Sequence, residues 1–366
     1  MVVEASGGGV ARHVADLSAG LQRRGTEVHI CYSPLRMDSV FADRLEQCAA
    51  LGVGMHPVPM PHGIGNPFRE LQAVYGVVAI LRSMPARTIV HGHSSKGGAY
   101  ARLTGVLTTR RSVYTPNAFA FAGGGLEGAG AARYAALERL LAPMTDALIA
   151  VSESEAELAR LHGLRPRSMV VVPNGIELEP WQSLSLPNRE RTFHVGSVGR
   201  LSWQKDPHLW AAIVRLLVER GASSIMLEWA GDGEFRDAIA AAIAGLGVGH
   251  LAGFQRDIPG FMKRQHAFLM TSRYEGLPYA LLEAMASARA CVVRRCAGTT
   301  DLIEDGVTGV LVDGDNPRPY VEALLLLQSD RVLAERLGAA ARRRIVDRFT
   351  VECMVTDTLE VYAGLT

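Results

Sequence analysis

At 366 residues the chain is longer than one domain of ordinary size, and its length points to two. Hydrophobic residues make up 48% and charged residues 20%, with 38 glycines, a composition that fits a globular α/β protein and excludes a disordered chain. Lys plus Arg total 38 against 37 Asp plus Glu, so charge gives no case for a nucleic-acid binder and leaves only a local basic patch open.

Met1 to Gly9 reads as a short strand running into a glycine turn, followed by an amphipathic helix over 11–21 and a strand over 27–32. Glycines let a backbone approach a phosphate at a helix N-terminus, although a strand-turn-helix also needs glycine for packing alone. The loop lacks the Gly-x-Gly-x-x-Gly spacing, and no acidic residue ends the second strand, which disfavours a nicotinamide dinucleotide. Next come a helix around 41–51, a loop punctuated by Pro57, Pro59, Pro61 and Pro67, and a helix over 68–82. The strand 88–91 brings His91 and His93 to its C-terminal end, where parallel sheets bind their ligands. His-x-His begins some metal sites, but no third ligand is evident. Residues 94–98 open the next helix and suit either an anion or plain capping. After a strand over 112–117, the apolar, glycine-rich segment 118–130 reads as a mobile loop, open to a role as an acceptor-facing or membrane-facing lip or as a simple linker. A helix over 131–141, a strand over 147–152, a helix from Ser154 and a strand over 169–176 end the first half. Asn174 and Gly175 suit a turn that needs positive φ. From Glu177 to Arg191 the chain is polar and aperiodic, with Pro180 and Pro187, and the interdomain linker is placed at 184–191.

The pattern then restarts. A buried strand from Phe193 ends at Gly199, with Arg200 and Lys205 near the start of a helix from about Pro207. Two cations there oppose the helix dipole, at a cost of roughly a few tenths of a kcal/mol unless an anion is present, which favours a function for them. Strands over 224–230 and 248–254 follow, with Phe254 and Gln255 at the end of the second. A helix over 258–265 and a strand over 267–271 lead to Arg273-Tyr-Glu-Gly-Leu-Pro-Tyr-Ala-Leu-Leu-Glu-Ala-Met-Ala286. Gly276 and Pro278 break the strand, and proline fits a first helical turn, so the next helix starts near Pro278. Were both glutamates helical, their eight-residue separation would set them ~80° apart around the axis and ~12 Å apart along it. With Glu275 in the loop and Glu283 in the helix, the two can grip opposite ends of an extended ligand. The N–H groups of Gly276, Leu277 and Tyr279 add an anion site, which suits a nucleotide-sugar. The bland alternative is one capping and one solvated glutamate. A strand over 290–295, a capped helix start at 298–303, a strand near 306–312, a helix over 318–344 and a last helix near 351–362 complete the chain. Arg294 and Arg295 have no evident reason in the sequence.

The five cysteines (Cys31, Cys48, Cys291, Cys296, Cys353) are scattered and include no Cys-x-x-Cys, which argues against a disulfide framework or a zinc site. No apolar run reaches the ~18 residues of a membrane span, and the N-terminus lacks a charged region followed by an apolar one. The expectation is a cytoplasmic protein, soluble or peripheral.

The glutamate, seven residues, glutamate arrangement within 273–286, with its context from Gly7 to about Val312, resembles retaining glycosyltransferases of family 4. The resemblance implies the GT-B fold, an α/β architecture of two doubly wound, Rossmann-like parallel-sheet domains facing across a cleft. It assigns 1–183 to an acceptor-side domain, 192–345 to a nucleotide-sugar domain, and 346–366 to a helix crossing back to the first. It implies that Arg200 and Lys205 hold the donor diphosphate, that Glu275 orients the donor sugar and that Glu283 binds the ribose, with Gly276 and Leu277 in the same site. Gly8 and Gly9 would contact donor phosphate or acceptor, and Phe254 and Gln255 would flank the base. Ser112-Val-Tyr-Thr-Pro-Asn117 is similar to the family's Thr-Pro-His element, whose histidine lies beside the reacting sugar, near His91 and His93. Here Asn117 replaces it, and an amide carries no proton, so a base role does not transfer. The first strand is shorter than the family's, which implies a weak edge. The implied activity is transfer of a hexose from a UDP- or GDP-type sugar to a hydroxyl of a sugar or lipid-linked sugar, with retention, in polysaccharide or glycolipid synthesis. No metal, no cofactor beyond the donor and no nucleic acid are implied, and peripheral contact with the inner face of the membrane is compatible. A nucleotide-sugar epimerase or a phosphorylase shares the fold, and Asn117 with the short first strand keeps a non-catalytic sugar-nucleotide-binding protein as a rival.

Overall fold

The computed structural model describes residues 1–5, 7–63, 66–122, 129–182, 184 and 191–365, leaving aside the side chains of Arg36 and Ala129. Most of the expected linker and half of the glycine-rich loop fall on 185–190 and 123–128, outside the described residues. The chain forms two units. The first comprises the described parts of Met1–Ala122, Leu126–Gly175 and Val351–Thr366, and the second those of Ile176–Thr350.

The first unit alternates strictly: β1 (Val2–Val3), α1 (Gly8–Arg23), β2 (His29–Tyr32), α2 (Ser39–Ala50), β3 (Gly54–Pro57), α3 (Pro67–Arg82), β4 (Val90–His93), α4 (Ser94–Thr108), β5 (Ser112–Thr115), α5 (Ala129–Leu141), β6 (Ala147–Ala150), α6 (Glu153–Leu161) and β7 (Met169–Val171). Its strands form one parallel sheet in the order β3-β2-β1-β4-β5-β6-β7. The two-residue β1 is therefore central and paired on both sides, not the weak edge its length suggests. The edges are instead β7 and β3, the latter missed by the proline-rich reading. β3 ends in Pro57, where a missing N–H is tolerated because only one neighbour pairs with it.

The second unit comprises α7 (Glu179–Gln182), β8 (Phe193–Val198), α8 (Pro207–Glu219), β9 (Ile225–Ala230), α9 (Arg236–Ile243), β10 (Gly249–Gly253), α10 (Ile258–Lys263), β11 (Ala267–Met270), α11 (Tyr279–Ala286), β12 (Ala290–Arg294), β13 (Val310–Val312), α12 (Pro317–Ser329) and α13 (Arg331–Arg348). Its sheet is also parallel, ordered β10-β9-β8-β11-β12-β13. The last helix, α14 (Val351–Ala363), belongs to the first unit and packs on α1 through Val351 and Val355.

Strands such as Ala267–Met270 are buried at every residue because helices cover both faces of a parallel sheet, so the sequence reads as an unbroken apolar run. One core of the second unit centres on Trp210 and Trp229, whose rings meet edge to face at 5.7 Å.

Four local expectations are corrected. Phe119 and Phe121, at the start of the supposed lip, are buried and stacked on each other, and Glu155 accepts a hydrogen bond from Ala118 N. Neither Asn174 nor Gly175 takes a positive φ; Asn174 is buried against His13 instead. Residues 298–303 form turns rather than a helix, since the Thr299 hydroxyl bonds the carbonyls of Arg294 and Cys296. The single helix expected over 318–344 is two, because Asp330 leaves helical dihedrals and caps α13 through Leu333 N.

Candidate active site

In the second unit the functional loops leave the C-terminal ends of β8, β9, β10 and β11, which lie side by side. Gly231 N donates to Gly253 O at 2.8 Å and Gly199 N to Ala230 O at 3.0 Å. A Cβ on Gly231 would overlap the Gly199 carbonyl, so only glycine lets these two loops touch. Arg200 follows β8 and is exposed. Lys205 ends the short turn ahead of α8, and its Nζ lies 2.5 Å from Glu275 Oε1, in the loop after β11. Gln204 Nε2 donates to Tyr274 O at 3.1 Å and to Glu275 Oε2 at 3.3 Å. Arg273 N donates to Gln204 O, and the Thr271 hydroxyl to Lys205 O, so two segments some 70 residues apart are sewn together around the Lys205–Glu275 pair.

The loop-to-helix junction behaves as its residues dictate. Pro278, extended at φ −74 and ψ 120, is the residue ahead of α11, and Gly276 and Leu277 are buried before it. Gly298, at φ +79, comes so close that any Cβ there would strike the Gly276 carbonyl. Glu275 sits in the loop with its side chain 6% exposed, and Glu283 lies inside α11 and is also buried, so neither is a solvated surface glutamate. Phe254 follows β10 and is 59% exposed, so it serves no core, while Gln255 donates to Ala252 O.

Two charges that lacked a sequence rationale acquire one. Asp206, buried and left-handed at φ +49, caps α8 through Leu209 N and holds Arg273 at 2.8 Å and Arg294 at 2.9 Å. Arg295 pairs on the surface with Asp313. Glu275 thus offsets Lys205 ahead of α8, while Asp206 answers Arg273 and Arg294. Asp206 and Gln204 were missed in the sequence, although Asp directly before Pro207 is a helix-start signal.

In the first unit the marked residues also gather at the C-terminal edge of the sheet. Gly8, at φ +64, and Gly9 are exposed at the start of α1. His91 and His93 are buried with ring centroids 4.1 Å apart, and His13 from α1 stands 5.2 Å from His93. His91 bonds the Tyr362 hydroxyl at 2.6 Å and the Thr115 hydroxyl at 2.8 Å, and His13 bonds Asn174 at 2.9 Å. Burial holds His13 down to about 4 against the pull of Asn174, and burial plus neighbouring histidines holds His91 and His93 well below the usual imidazole range. Asn117, at φ +54, donates to Thr115 O just beyond β5. His13 was missed; a polar residue on the apolar face of an amphipathic helix was the available signal. Lys96, in the first turn of α4, is committed to Glu70 and to the carbonyls of Pro61 and Gly63. Among the described residues no three His, Cys, Asp or Glu side chains are grouped as metal ligands, and no helix is long and apolar enough to cross a membrane.

Residues 8–175 match the family of glycosyl transferase 4-like domains, and residues 183–344 match glycosyl transferases group 1. The chain is 28% identical over 297 residues to an Escherichia coli UDP-Gal:α-D-GlcNAc-diphosphoundecaprenol α-1,3-galactosyltransferase, covering 76% of this chain and 75% of that one. It is 26% identical over 396 residues to the α-maltose-1-phosphate synthase of Mycobacterium tuberculosis, covering 97% and 95%. Anabaena HepE, solved in complex with UDP and glucose, superposes with a TM-score of 0.83 at 18% identity over 99% of this chain and 98% of that one. Sucrose-phosphate synthase from Thermosynechococcus elongatus gives 0.79 at 16% over 100% and 95%. Both units are matched by glycosyltransferase families, and both are Rossmann-like parallel sheets, so this chain is a glycosyltransferase of family 4 with the GT-B fold.

Proposed function

We propose that the enzyme is a retaining hexosyltransferase that moves a sugar from a nucleoside-diphosphate sugar to a hydroxyl of a sugar or lipid-linked sugar, in polysaccharide or glycolipid synthesis. The observation that carries this reading is the Lys205–Glu275 contact beside Arg200, which sets two cations and a held carboxylate at adjacent strand ends. The activity of the E. coli relative, which takes UDP-Gal and a lipid-diphosphate acceptor, and the UDP and glucose bound by Anabaena HepE support it.

Arg200 and Lys205 offset the charge that grows on the leaving diphosphate as the sugar–oxygen bond breaks, which is transition-state stabilisation by fixed cations. Glu275, kept in place by Lys205 and Gln204, orients the donor sugar's hydroxyls. Glu283 takes the ribose hydroxyls from α11, and Phe254 covers the base. Asn117 cannot accept a proton, so the acceptor's proton passes to an oxygen of the departing phosphate as the new sugar–oxygen bond forms on the same face. Gly8, Gly9, His91 and His93 belong to the acceptor side.

The test is a thermal-shift screen of UDP- and GDP-sugars, followed by transfer assays in which the product's anomeric configuration is read by NMR. A donor that stabilises the protein and is consumed only with an added acceptor, giving the retained anomer, is the expected result. An inverted product would overturn retention, and conversion of the donor without acceptor would indicate an epimerase.

A further inference from the structure

Among the described residues six that are not glycine take a left-handed φ, and two of these are consecutive: Asn117 at +54 and Ala118 at +81, on the loop just beyond β5. The other four, Ser94, Thr109, Asp206 and Ala288, stand singly at the ends of helices. Asn117 tolerates this conformation through its short polar side chain. Ala118 has nothing to offset it, and alanine disfavours the left-handed region by roughly tenfold. A strained residue persists only where its surroundings hold it.

The holder is Glu155. Ser152 caps α6, its hydroxyl accepting from Glu155 N at 3.1 Å, and in this capping pattern the glutamate serves the N-terminus of its own helix. The Glu155 carboxylate reaches further. One oxygen accepts from Val151 N at 2.8 Å, just after β6, and the other accepts from Ala118 N at 2.7 Å, on the loop of the neighbouring strand. Glu155 is 4% exposed, so both charge-assisted bonds are shielded from water and strong. Beyond the pinned turn Phe119 and Phe121 run into the core. Before it, Asn117 Nδ2 donates to the carbonyl of Thr115, whose hydroxyl bonds His91. The turn is fixed on both sides, and Asn117 stands half-buried at the same strand ends as His91 and His93.

We infer that Glu155 is a positioning residue for glycosyl transfer: without touching substrate, it holds the Asn117–Ala118 turn left-handed and so sets the Asn117 amide where the acceptor's hydroxyls are received. The inference rests on the reading that places Asn117 beside the reacting sugar.

The test is steady-state transfer from the UDP- or GDP-sugar that thermal shift selects to acceptors drawn from free hexoses and polyprenyl-diphosphate hexoses. Glu155→Gln keeps one accepting oxygen but turns an amide N–H toward one of the two backbone N–H groups, so one bond is lost. It should lower kcat/KM for the acceptor about tenfold. The donor KM should not change, because the donor loops belong to the second unit. Adding Ala118→Gly to Glu155→Gln should restore most of the loss, since glycine takes the left-handed φ without a holder. A merely structural defect would strike both KM values and would not be repaired by removing a methyl group. If Glu155→Gln does not fold, Ala118→Val strains the same turn from its other side, because a branched side chain is excluded from the left-handed region, and it should show the same acceptor-specific loss. Wild-type acceptor kinetics in either folded variant, or a Glu155→Gln loss that Ala118→Gly leaves in place, would overturn the positioning role where Asn117→Ala is itself impaired. An Asn117→Ala variant as active as wild type would instead remove the acceptor-side reading beneath it, and the inference with it.

Discussion

The two sheets end in similar strand-loop-helix edges, yet their marked residues are held in opposite electrostatic states. At the first edge His13, His91 and His93 lie within ring-contact distance and are buried, and three cations packed that closely away from water would repel one another, so the imidazoles stay neutral. His91 is hydrogen-bonded to the Thr115 and Tyr362 hydroxyls, and His13 donates to Asn174 Oδ1. At the second edge Lys205, Arg273 and Arg294 are only partly covered, and each meets a carboxylate. A pocket that keeps its groups neutral suits hydroxyl-bearing ligands, whereas one with paired cations can exchange an internal carboxylate for an incoming anion. The same fold thus presents two chemistries, set by what each loop buries.

The contrast breaks most sharply at Lys205. Lys205→Ala should reduce kcat by roughly 10²–10³-fold through loss of charge stabilisation. It should also lower unfolding stability by about 3 kcal/mol, because it strands the mostly buried Glu275. Arg200→Ala, at an exposed position, should weaken nucleoside-diphosphate binding by about 2 kcal/mol with no loss of stability. Calorimetric titration and melting curves separate the two, and unchanged affinity in both variants would remove the diphosphate assignment.

Acid should find the first edge. In the unfolded chain these histidines titrate near pH ~6.5, while the folded chain keeps them neutral. Below that value the unfolded state binds protons that the folded state refuses. Stability is therefore complete above pH ~6.5 and falls as pH drops toward about 4, where folded His13 would itself protonate. His13 alone accounts for up to about 3 kcal/mol of that loss. A His13→Gln variant whose melting temperature still fell with acid as steeply as wild type would show that His13 does not carry this share of the loss.

The glutamates sharpen the picture within the second edge. On the proposed reading, which sets Glu275 beside the donor sugar, Glu275→Gln should act mainly on kcat, by about a hundredfold. Glu283→Gln should chiefly raise the donor KM, by about tenfold. Matching losses in kcat for both would end the division of labour.

The smallest effects separate Arg294 from Arg295, neighbours in sequence. Arg294→Gln, which leaves buried Asp206 to Arg273 alone, should cost about 1–2 kcal/mol. Arg295→Gln, on a surface pair, should cost less than ~0.5 kcal/mol in chemical denaturation. Equal costs would mean that the Asp206 network is not the more tightly held of the two.

Much of the architecture was legible without coordinates. Buried parallel strands read as short apolar runs, such as Ala267–Met270, and amphipathic helices read by their period, because one-dimensional pattern and local burial are the same fact. Pro278 announced a helix start and the helix begins one residue later. What failed locally was whatever a distant partner decides. Pro57 became an edge strand because β2 was there to pair with it, Phe119 and Phe121 turned inward because a core received them, and Thr299 undid an expected helix by bonding backbone carbonyls.

The sequence by itself determined the two α/β halves, the positions of the glycine and proline turns, and which residue types stand at each strand end, since these depend on neighbours a few residues away. Only the tertiary structure decided which charges neutralise one another. Lys205 meets Glu275 across 70 residues and Arg294 meets Asp206 across 88, while His13 joins Asn174 across 161. Ion pairing and imidazole protonation depend on distance and burial in space, and sequence separation carries neither.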